Sequence, residues 1–235
     1  MGKLSKIHVF ILFTLFIFGC ASGSRLQDKS YTINSLSAGV NGTIAIMPIK
    51  EVPAMPGLAD RVEISLQKSM NEKLSKVQVV DVDTFKSRIE KNNMETEFGQ
   101  WKATYDSSKI LSVRPMKSFS NAVEARYFLL VPAIYLSREP ISVHEAGFSG
   151  FYNEGQAFWR TDLKVLAEVL DTETAKIVWK GVGHAQNVHA PTRYSIVVRW
   201  DERNPEIEEY ISPMIKTAVD GIVESISSGG KVKKK

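Results

Sequence analysis

At 235 residues, 43% of them apolar, the chain is long enough for one substantial domain that buries roughly 70% of its unfolded surface, and no second domain is required. The formal charge of +4 sits at the ends: setting aside Lys3 and Lys6 leaves +2, and setting aside Lys231, Lys233, Lys234 and Lys235 as well leaves −2. That leaves a folded basic patch for nucleic acid unsupported, and the single cysteine, Cys20, excludes an intramolecular disulfide.

The chain opens with Lys3 and Lys6, continues through the apolar run Ile7 to Phe18, and then presents Gly19, Cys20 and Ala21. This stretch looks like a bacterial lipoprotein signal, a resemblance that implies cleavage before Cys20 and acylation of its thiol. A retained membrane anchor is the weaker reading. The twelve residues of the run reach roughly 18 Å as a helix, against the ~30 Å hydrocarbon core of a bilayer. Several acyl chains at about 0.8 kcal/mol per buried methylene give firm anchoring without a spanning helix. Ala21, where an aspartate would retain a lipoprotein at the inner membrane, resembles the pattern sent to the outer membrane.

Residues 20–42 are small and polar, with Ser22, Gly23, Ser24, Ser30, Asn34, Ser35, Ser37, Gly39, Asn41 and Gly42 spread evenly, and read as a flexible lipidated tether. An α/β domain is expected over 43–228, and a disordered basic tail over 229–235. Within the domain, Thr43 to Ile49 reads as a short buried strand limited by Pro48. A turn at Pro53 to Gly57 leads to an amphipathic helix on Val62, Leu66, Met70 and Leu74, with Ile64 off its apolar face. Val77 to Val82 is a second strand, and a shorter helix opening at Asp83 ends near Asn92 and Asn93. Two short helices are read between residues 94 and 126, the first on Phe98, Trp101 and Tyr105 and the second on Asn121 to Arg126, with Ser107 to Pro115 as the break.

Tyr127 to Leu136 has the continuous apolar character of a central strand covered on both faces, where Pro132 demands a bulge or an edge. Trp159, Thr161, Leu163, Val165, Ala167 and Val169 alternate with Arg160, Asp162, Lys164, Leu166, Glu168 and Leu170, the pattern of a long antiparallel strand. Asp171 to Thr174 supplies a turn, and Ile177 to Trp179 begins the returning strand of a hairpin. Ile207, Ile211, Met214, Ile215, Ala218, Ile222 and Ile226 form a helical stripe, which Pro213 either kinks or, with Ser212 as cap, restarts. The expected fold class is α/β: a single domain with a mixed sheet, in the order strand, helix, strand, helix, strand, hairpin, helix, and with helices packed on that sheet.

This order behind an acylated cysteine, with Ile44-Ala45-Ile46-Met47-Pro48, Val77-Gln78-Val79-Val80-Asp81 and the hairpin from Val165 to Trp179, resembles an envelope lipoprotein superfamily. It includes the curli secretion channel lipoproteins (CsgG-like) and the peptidoglycan synthase activators, and the amino-terminal domain of the Tol-system β-propeller protein is also similar. The resemblance implies a non-enzymatic protein that assembles into rings, lines export portals or docks on synthases. Channel formation is not expected. Membrane strands need ~9–11 residues each, and the loop Glu139 to Gly155 is too short for two hairpins and carries Glu145 and Glu154. Its Phe148, Phe151 and Tyr152, set among glycines, are candidate partner-binding residues; the alternative is that they complete the hairpin's own core.

No catalytic residue, metal site or cofactor is expected. His8 leaves with the signal, His184 and His189 fall on opposite faces of a strand, and His144-Glu145 lacks a third ligand. No phosphate loop follows Ile44 to Ile49. The leading expectation is therefore a non-catalytic lipoprotein on the periplasmic side of the outer membrane, lipidated at Cys20. It would act in envelope assembly or surface export through contacts with envelope proteins, as a homo-oligomer and without nucleic acid. A monomeric activator of a peptidoglycan synthase comes second, and a hydrolase using His144 or His184 third.

Overall fold

The computed structural model describes residues 25–34, 40, 42–53, 55–142, 145, 158–189 and 205–228, with the backbone alone for 25–34, 189 and 205–209. A six-stranded mixed sheet runs through the molecule. Its strands are β1 (Arg25–Asn34), β2 (Gly42–Ile46), β3 (Val77–Val80), β4 (Tyr127–Ile141), β5 (Phe158–Asp171) and β6 (Lys176–His189), in spatial order β1-β6-β5-β4-β2-β3. β3, β2 and β4 are parallel, whereas β4, β5, β6 and β1 are antiparallel. Parallel neighbours need long crossovers, and helices supply them.

Helix α1 (Leu58–Lys73) links β2 to β3. Its entry is set by Gly57 at φ 79°, a backbone conformation that a side chain would strain, and Glu51 accepts the Gly57 N–H at 2.8 Å. Leu58, Val62, Leu66 and Met70, spaced at four, bury one stripe. Ile64 stands 65% exposed, as its off-stripe position predicts. Helix α2 (Val82–Lys91) is capped by Asp81, whose carboxylate accepts the Thr84 N–H at 2.7 Å. The cap thus lies two residues before Asp83, which instead occupies the first turn. Two helices lie between 94 and 126: α3 (Glu95–Ser108), on the expected residues, and α4 (Val113–Val123), which starts well before the Asn121 to Arg126 stretch where the second was expected and ends at Val123. Pro115 begins no break: it lies in the first turn of α4, where its missing N–H leaves no helical bond unmade. Helix α5 (Pro205–Ser227) continues through Pro213, which is exposed, so the lost hydrogen bond falls on the solvent side and the helix does not restart.

Alternation along the strands sorts the core into two layers. Ile44, Ile46, Leu129, Leu163, Val165, Val169 and Trp179 face α1 and α5. Ala45, Met47, Phe128, Leu130 and Leu170 face α2, α3 and α4, with Phe85, Trp101, Tyr105 and Phe119 between. Helices therefore cover the parallel half of the sheet on both sides, which is why Tyr127 to Val131 is buried throughout. Pro132 satisfies both conditions. The β4–β5 register shifts between Leu130 and Ala133, and β2 has ended alongside, its last bond running from the Met47 N–H to the Leu129 carbonyl at 3.0 Å.

Two boundaries differ from expectation. Residues 25–34, within the stretch read as a tether, form β1, which pairs with β6 from Arg25↔Val188 to Asn34↔Lys180. Its polar composition hid it, because an edge strand is held by backbone pairing to an open neighbour, which residue type scarcely registers. Glu139, Pro140 and Ile141 belong to β4 and pair with Arg160, Trp159 and Phe158, so the loop expected from Glu139 begins after Ile141.

A close helix–sheet approach lies over two glycines. A Cβ at Gly183 would stand 2.0 Å from the Ala218 carbonyl oxygen of α5, and one at Gly181 would stand 2.5 Å from the Trp179 ring. The missing side chains form a trough in β6: α5 settles into it over Gly183, and Trp179 lies flat along Gly181 with its indole N–H donating to Ser225 at 3.3 Å.

Candidate functional site

Beyond the bulge at Pro132 the exposure of β4 alternates: Tyr135, Ser137 and Glu139 are exposed, while Ile134, Leu136 and Arg138 are half-buried. The register carries the exposed set across three strands in rows, Tyr135–Lys164–His184, Ser137–Asp162–Gln186 and Glu139–Arg160–Val188. Directly opposed residues share a face, so a polar face spans β4 and β5, and on β6 it ends in the buried His184 and Val188 and the half-buried Gln186. Asp162 is its centre. One carboxylate oxygen lies 2.7 Å from His184 Nε2 and accepts from Gln186 Nε2 at 3.1 Å; the other is 3.6 Å from Arg160 Nε. Arg160 in turn pairs with Glu139 through Nη2. His184 is only 8% exposed and Asp162 15% by side chain, so this network is fixed in place rather than solvated.

An aspartate holding a histidine is two-thirds of a hydrolytic triad, and a nucleophile would have to complete it. Ser137 lies on the same face but two strands from His184. At ~4.8 Å per strand that is about 10 Å of lateral separation, far beyond the ~3 Å that proton transfer requires. His184 and His189 pair with Lys164 and Trp159, which are five residues apart on β5, so the two register positions fall on opposite faces of the sheet. Among the described residues no three metal-ligating side chains gather. What the surface offers is a rigid pattern of alternating charge, suited to recognition.

A second buried polar group is one that the strand pattern misplaces. Glu168, in the set that includes Arg160, Asp162 and Lys164, is 1% exposed. It accepts the Tyr105 hydroxyl from α3 and pairs with Lys180 Nζ at 2.6 Å. Burial and the adjacent carboxylate push the Tyr105 phenol well above its ordinary value, so it keeps its proton and remains a donor. The Tyr105 ring stacks on Trp101 at 5.8 Å and carries Lys109 at 4.8 Å from its centroid. This assembly pins α3 to the sheet. The signal available in sequence was that Leu166 and Leu170, on the same face as Glu168, are apolar.

Between α1 and α5 a cleft of about 290 Å³ is lined by Arg61, Ile64, Lys68, Glu72, Ile215 and Asp220 among others. Asp220 accepts from Ser69 at 2.7 Å and pairs with Lys73 at 3.0 Å and with Lys216 at 2.5 Å. Burial would raise its pKa, but hydrogen bonds from Lys216, Ser69 and Lys73 outweigh that and hold the carboxyl below its usual value. The network clamps the two helices together along the cleft.

The other residues singled out in the sequence, Cys20, His144, Phe148, Phe151 and Tyr152, lie outside the described residues. Their anchoring points do not. β1 begins at Arg25, beside Val188 near the end of β6, and Ile141 and Phe158 close the β4–β5 pair at the same end. The segment after Cys20 and the aromatic loop therefore leave the sheet from one rim.

No family model matches the chain, and no curated protein matches it. Among solved structures, the PelC dodecamer from Paraburkholderia phytofirmans is similar at 11% identity, with a TM-score of 0.34 over 85% of this chain and 97% of that one. A single-substitution variant of that dodecamer gives 10% identity and a TM-score of 0.33 over 83% of this chain and 98% of that one. Likeness at this level establishes neither a shared fold nor a shared role.

Proposed function

We propose that this chain is a non-catalytic lipoprotein, held on the periplasmic side of the outer membrane by acyl chains on Cys20. It acts in envelope assembly or surface export by touching other envelope proteins and copies of itself. The observation that carries this is the conjunction of Lys3, Lys6, the apolar run Ile7 to Phe18, Gly19 and the chain's single cysteine. The fixed polar face around Asp162 supports a role in recognition, because rigid complementary charge gives selectivity among partners. Labelling with a fatty acid tests the anchor: wild-type protein incorporates it and Cys20→Ser does not. Unlabelled wild-type protein in the cytosol would refute the reading. Light scattering on the form lacking residues 1–20 tests the oligomer, and a strict monomer at high concentration would remove that part.

Two other readings have less support. A synthase activator reaching the cell wall through a long tether needs the length that β1 takes up: only 21–24 separate Cys20 from the sheet, a span of at most about 18 Å to Arg25. A hydrolase working through His184 needs a nucleophile within reach, and Ser137 is not. That reading predicts that His184→Ala abolishes a turnover while leaving the melting temperature alone.

A further inference from the structure

We infer that copies of this chain join head to tail, the α3–α4 corner of one protomer receiving the start of α3 from the next. The inference rests on the self-contact proposed above and gives it a pair of surfaces. At the corner, Ile110 is 66% exposed and Val113 46%, with Leu111 half-buried between them. Exposed aliphatic side chains this close together are what an interface core is built from, given a polar rim around them. The rim is cationic. Residues 107–123 hold Lys109, Arg114 and Lys117, all exposed, and no acidic residue. The nearest carboxylates in the chain are occupied elsewhere, Asp106 by Lys102 at 2.8 Å and Glu124 by Arg88 at 3.2 Å.

The placement of these cations does not serve the helix that carries them. Arg114 stands in the first turn of α4, where the helix dipole disfavours positive charge, and Ser112 gives that end no side-chain cap. An anionic partner accounts for charge held against local stability, and a second copy supplies one. Glu95 and Glu97 stand exposed in the first turn of α3, within a stretch, residues 92–101, that has no basic residue, and the half-buried Met94 and Phe98 flank them. The two surfaces cannot meet in one protomer, because the 14 residues of α3 hold them about 20 Å apart. They also face different ways: Phe98 packs on Phe85 of α2 with ring centroids 5.2 Å apart, whereas the Tyr105 hydroxyl reaches Glu168 on β5. A contact between unlike surfaces at opposite ends repeats from copy to copy, closing a ring or running on as a filament.

The test uses the full acylated protein in nonionic detergent, with self-association followed by sedimentation equilibrium. Arg114→Glu with Lys117→Glu makes both surfaces acidic, and Glu95→Lys with Glu97→Lys makes both basic. Each double variant alone should associate at least about tenfold more weakly than the parent, because like charges then face each other. Mixed one to one, the two should regain the parent's association, since every contact in an alternating array again joins opposite charges. The first variant should melt no lower than the parent, because a carboxylate suits the start of α4, so its weaker association is not a loss of fold. Variants that associate as the parent does, or a mixture as weak as its components, overturn the paired surfaces, leaving the corner to another anionic partner and the self-contact standing. A parent that is strictly monomeric at high concentration overturns both.

Discussion

Gly183 is the position where a single methyl group should do most damage. The Cβ introduced by Gly183→Ala would stand 2.0 Å from the Ala218 carbonyl oxygen, and backbone cannot rotate aside as a side chain can. Relief requires α5 to retreat by about 1 Å, and a gap of that size forfeits a quarter to a half of the dispersion attraction across it. Ile215, Val219 and Ile222 flank Ala218 and are almost fully buried. At roughly 2 kcal/mol of burial apiece the penalty comes to about 1.5–3 kcal/mol. For a domain of this size each kcal/mol moves the melting temperature by about 2–4 °C, so a fall of roughly 3–12 °C is expected in thermal unfolding followed by far-ultraviolet circular dichroism. Gly99→Ala is the control. That glycine lies exposed within α3 with nothing near its absent Cβ, and alanine there should stabilise by about 0.5–1 kcal/mol. If Gly183→Ala melts within about 1 °C of the parent, well under the smallest fall expected, the trough does not seat α5 and the argument fails.

Replacing Tyr105 by phenylalanine leaves one oxygen of the buried Glu168 without its donor and should cost about 1–3 kcal/mol in urea unfolding. The phenol's pKa is raised in the folded state, so its contribution is complete below the unfolded value near ~10 and disappears as pH climbs past it. Wild-type stability should accordingly fall more steeply than that of Tyr105→Phe above pH ~10, and parallel slopes would contradict the assignment. Asp220 behaves oppositely. Its lowered pKa gives stability that is present above the unfolded value of ~3.9 and lost as pH falls through the folded one, so Asp220→Asn should flatten the acid limb of the stability curve. Asp81→Ala removes the cap on α2 and should cost about 1 kcal/mol in chemical denaturation, whereas Asp83→Ala, in the first turn, should cost less.

The helices and central strands were legible because each buries a periodic apolar stripe: Val62, Leu66 and Met70 on α1, and Leu163, Val165 and Val169 on β5. Tyr127 to Val131 announced a strand covered on both faces, and Pro132 announced the irregularity that follows it. What escaped lacks such a stripe. β1 is held through its backbone, Glu168 is a carboxylate on a helix-covered face, and Gly181 and Gly183 act through the side chains they do not have. Asp162 and His184 were visible as residues, but their meeting depended on register, which no local pattern encodes across a hairpin of this length.

The first five residues of β4 belong to two neighbourhoods at once. Tyr127, Phe128 and Leu129 hold β2 on one flank and β5 on the other, while their side chains and those of Leu130 and Val131 plug into both helical layers. Neither flank can be excised and keep a complete sheet, since whichever piece loses this segment gains a raw, apolar edge. Protease nicks in the connections should therefore leave fragments that stay associated, and the protein should lose its parallel and antiparallel parts in one cooperative step.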